Sequence, residues 1–194
     1  VWHVPVNDRK VFLTFDDGPV PGPTEFVLEQ LKRVDATATF FCVGDNISKH
    51  PQVYRKLVDA GHLTANHTFH HLDGWSHSVL HYLENVRLCD DFLGATSGLR
   101  LFRPPYGKLT RAQRKALSAR YRIVMWDVLT ADFDERLDKE ACLRQSIRAT
   151  RPGSIVVFHD SYKAEKNLTH VLPRYLDHLA REGYAFEAIP VGNG

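Results

Sequence analysis

Short apolar runs alternate along this chain with longer stretches whose apolar positions recur every three or four residues. Val11-Phe12-Leu13-Thr14-Phe15 is continuous, β-branched and aromatic, and predicts a buried strand ended by Gly18-Pro19. The same reading predicts strands at Ala36–Val43, His62–Asn66, Leu101–Arg103, Ile123–Val128, Ser154–Phe158 and Ala185–Ile189. Helical spacing predicts helices from Pro23 to Val34, from Ser48 to Ala60 with Gly61 as the stop, and from Val79 to Phe92. Three more are predicted: from the Thr110 cap to Ser118, from the Asp138 cap to Thr150, and from Leu168 to Arg181. Strand and helix thus alternate about seven times over short connections, the signature of a parallel sheet with helices outside. Such units either close as an irregular barrel or stay open as a doubly wound sheet. No repeat, linker or low-complexity segment divides the chain, so one α/β domain is expected over residues 1–194, with its core at about 10–190.

Composition narrows the function classes. The net charge is +2, which gives no electrostatic footprint for nucleic acid. No apolar stretch is long enough to span a bilayer, and no export signal is visible from Val1 onward. Cys42, Cys89 and Cys142 are odd in number and widely spaced, which suits buried small hydrophobes better than a disulfide framework. The 11 histidines are concentrated between His62 and His81, and that excess calls for a reason.

A second pattern supplies one. Polar residues follow the apolar strands directly: Asp16-Asp17, His67 to His71, Arg103, Asp132 and His159. All would fall at one rim of a parallel sheet, where ligands bind. Asp16 and Asp17 repel one another unless a positive charge lies between them, and a metal ion is the economical candidate. Without the rest of the chain, Asp-Gly here would read as a solvated turn. His67 and His71 stand four apart and would point the same way on a helical turn or tight loop, whereas the adjacent His70 would point elsewhere. Two imidazoles and a carboxylate make a three-ligand divalent site with room for water. Arg103 opens the stiff RPPYG segment, and its planar fork suits a carboxylate. Asp132 lies beyond the end of its strand and is the expected partner for Arg103; Asp134 suits a cap or loop. His159 ends a strand and titrates near neutrality, so it could donate a proton to a leaving group.

TFDDGP (Thr14–Pro19), HTFHH (His67–His71), RPPYG (Arg103–Gly107), Asp132-Phe133 and VFH (Val157–His159) together resemble, in order, the five blocks of the polysaccharide deacetylase family. These are metal-dependent carbohydrate esterases with the NodB-homology domain. The resemblance covers about residues 11 to 160. It implies a distorted (β/α)7 barrel of mainly parallel strands. It implies that Asp17, His67 and His71 hold a divalent metal, usually zinc, with cobalt, nickel, iron or manganese as alternatives. It also implies that Asp16 is the general base oriented by Arg103, that Asp132 pairs with the general acid His159, and that the Tyr106 amide helps hold the oxyanion. Pro105, Phe133 and Val157 would line the substrate pocket. Phe133 stands where the family usually carries tryptophan, which keeps an aromatic wall but loses an indole donor. Val157 stands where leucine is frequent.

The expected activity is removal of N-acetyl groups from an N-acetylglucosamine polymer of the peptidoglycan or chitin kind, with release of acetate. An O-acetyl esterase on xylan is the near alternative. A non-haem iron oxygenase shares the two-histidine, one-carboxylate set, but the parallel α/β pattern and the adjacent Asp16 argue against it. A non-catalytic carbohydrate-binding protein on the same scaffold would be expected to lose the base or the acid, and Asp16 and His159 are both present. A monomer is expected, and the family suggests action outside the cytoplasm. Trp75, Tyr106, Trp126 and Phe133 are candidate sugar-stacking faces, with Trp126 expected to be buried on its strand. The basic helix from Arg111 is read as a solvated face.

Overall fold

The computed structural model describes residues 1–94 and 99–191, so the last three positions of the expected 1–194 domain lie outside it. Its elements run β1 (Lys10–Asp16), α1 (Pro23–Arg33), β2 (Thr39–Cys42), α2 (Gly44–Lys49), α3 (Pro51–Asp59), β3 (Leu63–Asn66) and α4 (Val79–Asp90). There follow β4 (Arg100–Phe102), a 3-10 turn (Pro105–Gly107), α5 (Arg111–Leu117), β5 (Tyr121–Ile123), β6 (Val128–Leu129), α6 (Lys139–Ala149), β7 (Ile155–His159), α7 (Glu165–Arg181) and β8 (Ala185–Glu187). The strands pair in parallel in the order β5-β4-β3-β2-β1-β7-β6, a path of seven curled into a half-barrel, with β8 set against the start of β1.

Strand alternation decides what faces where. On β1, Val11, Leu13 and Phe15 pack outward with Val27, Leu31, Val171 and Leu176 from α1 and α7. Phe12 points the other way and joins Phe41, Ala65, Leu101 and Ile155 in the barrel interior. Both faces are buried, which is why the strand reads as a continuous apolar run rather than an alternating one. Cys42, Cys89 and Cys142 are all buried and free, as their surroundings in the sequence suggest.

Two predicted elements divide. The Ser48–Ala60 helix is two helices, α2 and α3, because Pro51 starts the second and forces His50 out of helical geometry. The predicted Ile123–Val128 strand is the end of β5, a crossing segment and the start of β6. These strands are the two outer edges of the sheet, so Val124–Asp127 spans the seam of the half-barrel. Residues Val1–Val4 run along this seam. Met125 N donates to Val1 O at 2.7 Å, and Val4 N donates to Gly153 O at 3.0 Å. Asp127 pins both sides, accepting from Ile155 N at 2.8 Å and pairing with His3 Nδ1 at 2.9 Å.

Candidate active site

The inward alternation of the strands delivers the polar residues to one place. On β1, Thr14 and Asp16 follow Phe12 onto the inner face; on β7, Val157 and His159 follow Ile155. Asp16 and His159 stand opposite one another in the β1–β7 ladder. Arg103 follows Leu101 inward from β4 and is fully buried. Its Nη1 donates to Asp16 Oδ1 at 2.6 Å and to Thr14 Oγ1 at 2.7 Å. Nη2 donates to Met125 O at 3.0 Å and Nε to Val124 O at 3.4 Å, and the guanidinium lies 4.1 Å over the Phe41 ring. The fork therefore does two jobs. It holds a buried carboxylate, and it satisfies the Val124 and Met125 carbonyls of the seam-crossing segment.

Asp17, His67 and His71 offer ligand atoms that all lie within 4.8 Å of one another. His71 Nε2 is 3.1 Å and His67 Nε2 is 3.7 Å from Asp17 Oδ1. His67 Nδ1 lies 2.7 Å from the Arg103 carbonyl, which requires the proton on Nδ1 and leaves the Nε2 lone pair facing Asp17. Burial pulls His67 down to about 4, outweighing the pull of Asp16 and Asp17 the other way, so its neutral form prevails at pH 7. Burial alone would raise the Asp17 carboxyl, but the hydrogen bond from His71 and the charges of His159, His67 and His71 hold it well below the usual carboxylate range. Two imidazoles and an ionised carboxylate are a donor set compatible with a divalent metal.

The histidine segment is a loop rather than a helix, with left-handed backbone at Thr68 (φ 64) and His71 (φ 53). Asn66 Oδ1 accepts from Thr68 N, and Asn85 Oδ1 on α4 accepts from Phe69 N and His70 N. His70 turns away as expected, to Asn85 Nδ2 at 2.8 Å.

Across the floor, His159 Nδ1 is 2.7 Å from Asp132 Oδ1, and Asp132 Oδ2 accepts from His159 N. Burial works against the charged imidazole, but the Asp132 carboxylate and the nearby Asp17 and Asp16 raise His159 to about 9. A cavity of about 470 Å³ joins these groups; Asp16, Asp17, His67, His71 and His159 line it with Tyr106, Trp126, Phe133 and Val157. The Phe133 ring meets His159 edge-on at 5.0 Å, and Tyr106 meets His71 edge-on at 4.7 Å.

Eight of the eleven expected site residues line one cavity, and two more, Arg103 and Asp132, lie fully buried behind it, bonded to the lining residues Asp16 and His159. Pro105 is the exception: it is buried in the 3-10 turn, and Pro104 lines the cavity instead. The pairing of Arg103 with Asp132, expected from the residues alone, is corrected. Arg103 holds Asp16, and Asp132 holds His159, because β6 lies next to β7 whereas β4 faces β1 across the interior. Trp126 is half-buried on the crossing segment and lines the cavity, rather than sitting buried on a strand. Asp134 is a loop residue that accepts from Arg136 N. Nothing in the residue pattern marks Lys163, which lines the cavity, or Asn46, which donates to the Asp17 carbonyl, and Asp160 is marked only by its place beside His159.

A parallel half-barrel with an Asp–His–His set, a guanidinium-held second carboxylate and an aspartate-paired imidazole at one rim has the makeup of a metal-dependent hydrolase. The chain belongs to the polysaccharide deacetylase family: a sequence model described as Polysaccharide deacetylase matches residues 3–123. The chain is 32% identical over 192 residues to a peptidoglycan-N-acetylglucosamine deacetylase of Bacillus cereus, covering 97% of this chain and 90% of that protein. It is 31% identical over 203 residues to a chitooligosaccharide deacetylase of Bradyrhizobium sp., covering 94% and 90%. A crystal structure of a peptidoglycan N-acetylglucosamine deacetylase in complex with 4-naphthalen-1-yl-N-oxidanyl-benzamide matches with a TM-score of 0.89 at 26% identity, covering 97% and 90%. No helix among the described residues is long and apolar enough to cross a membrane.

Proposed function

We propose that this protein hydrolyses N-acetyl groups on an N-acetylglucosamine-containing polysaccharide, releasing acetate and leaving a free amine on the sugar. The observation that carries the reading is the register of Asp16 against His159 on adjacent strands, both facing the cavity that holds Asp17, His67 and His71. Asp17, His67 and His71 would hold a divalent ion, and we infer zinc from the two-nitrogen, one-oxygen donor set. When bound, the ion supplies a Lewis acid beside the acetyl carbonyl. Asp16, with Arg103 as countercharge, takes a proton from the attacking water. The water oxygen adds to the carbonyl carbon. His159, protonated through its bond to Asp132, gives its proton to the nitrogen as the carbon–nitrogen bond breaks, because an amine cannot leave as an anion. The Tyr106 amide is the candidate for holding the developing oxyanion. The exposed faces of Trp75 and Tyr106 are candidate platforms for neighbouring sugars.

Names of relatives support the substrate class, since they include deacetylases of peptidoglycan and of chitooligosaccharides. We infer action outside the cytoplasm, where such wall polymers lie, and as a monomer. The test is acetate release from peptidoglycan, chitooligosaccharides and acetylated xylan in parallel. Release from either N-acetylated glycan supports the reading. Release from xylan alone would make the protein an O-acetyl esterase, and binding with no release from any glycan would make it non-catalytic.

A further inference from the structure

The peptide unit joining Asp17 to Gly18 is held at both of its polar atoms. Asn46 Nδ2 donates to Asp17 O at 2.7 Å, and Gly18 N donates to Asp160 Oδ1 at 3.1 Å. Asp160 is buried directly behind the loop. Its Oδ2 accepts from Thr24 Oγ1 at 2.6 Å, whose oxygen accepts in turn from Val20 N at 2.8 Å. Asp160 N donates to Asp16 O at 3.1 Å and extends the β1–β7 ladder by one step. The carboxylate lies so close that a Cβ at Gly18 would fall 2.0 Å from Asp160 Oδ2. Glycine at position 18 is therefore set by this approach.

The held peptide lies next to strained backbone. Asp17 has φ 82, a left-handed conformation that strains a non-glycine residue. Strain of this kind persists only where the surroundings over-determine it. Asn46 and Asp160 supply that determination: rotating the peptide toward ordinary backbone would break both bonds and leave a buried N–H without a partner. The left-handed turn also separates two carboxylates that would otherwise compete. Asp16 stays on the inner face of β1 against Arg103, and Asp17 turns toward the histidines.

We propose that Asp160 and Asn46 are positioning residues that lock the Asp17–Gly18 peptide and thereby aim the Asp17 carboxylate at the metal. This rests on the reading of Asp17, His67 and His71 as metal ligands. Burial pushes the Asp160 carboxyl up to about 8 against the hydrogen bonds it receives, but Oδ1 accepts from Gly18 N in either protonation state.

Zinc dissociation constants, measured by competition with a chromophoric chelator, test the proposal alongside thermal melts of the metal-free proteins. Asp160→Ala and Asn46→Ala should each weaken zinc binding about ten- to hundredfold, the usual range when a group supporting a ligand is lost. Asp160→Asn, which keeps an acceptor for Gly18 N, should recover most of that loss. Zinc affinity unchanged in both alanine variants, with only the melting temperature lowered, would overturn the positioning role while Asp17→Ala still abolished binding. If Asp17→Ala bound zinc like the parent, the ligand reading itself would fall, and this proposal with it. Should Asp160→Ala fail to fold, Asn46→Ala and Asp160→Asn decide the matter alone.

Discussion

Arg103 Nη1 lies 2.6 Å from Asp16 Oδ1, with Arg103 fully buried and Asp16 nearly so at the edge of the cavity. Removing either partner leaves the other as an uncompensated buried charge, which costs about 3–5 kcal/mol. Arg103→Met should therefore lower the melting temperature by on the order of 10 °C. It should also abolish acetate release. Because the guanidinium additionally serves the Val124 and Met125 carbonyls, Arg103→Lys should restore the charge without restoring the melting temperature in full. Calorimetry on both variants checks this.

Asp16 lies 3.9 Å from His67 Nε2 through its other oxygen, outside the closer trio formed by Asp17 and the histidines. Asp16→Asn should therefore keep the metal while losing about 10²–10⁴ in kcat, the range for a general base. Steady-state kinetics with metal analysis on one preparation separates the two. Full activity would remove Asp16 from the base role.

The His159–Asp132 pair sets the alkaline limb. With His159 raised to about 9, its proton is present at neutral pH and is lost as pH rises through about 9, so kcat/KM should fall there. Asp132→Asn removes the countercharge and should move the limb down by about one unit or more. The same raised value stabilises the fold below the unfolded-state value of about 6.5, and this contribution is lost as pH rises through about 9. The melting temperature of the parent should thus decline over that window more steeply than that of Asp132→Asn.

His67 is buried, with Nδ1 committed to the Arg103 carbonyl. His67→Ala should lose bound metal in elemental analysis, whereas His70→Ala, whose ring is held by Asn85, should retain it. Unchanged metal stoichiometry in His67→Ala would show that His67 is not a ligand.

Much of this site could be read along one dimension because strand ends carry it. Asp16, Arg103 and His159 each occupy an inward position of their strand or its first continuation, so a period of two is enough to place them together. What spacing cannot give is who stands across from whom. The Arg103–Asp132 pairing failed for that reason: both are orphan charges at one rim, and only the strand order assigns their partners. The Ile123–Val128 run failed differently. Its apolar residues have strand character, but the segment bridges two sheet edges, and a side chain and Val1–Val4 take the place of strand neighbours. Asp160 was invisible as anything but a neighbour of His159, because its partner is a backbone amide far away in the chain.

Acetate release from an N-acetylglucosamine oligomer by chelator-treated protein, with zinc then returned in known amounts, tests the central claim most directly. Release should cease on chelation and return in proportion to zinc, levelling off at one equivalent per chain. Undiminished release from the stripped protein, or none from the zinc-loaded one, would contradict it.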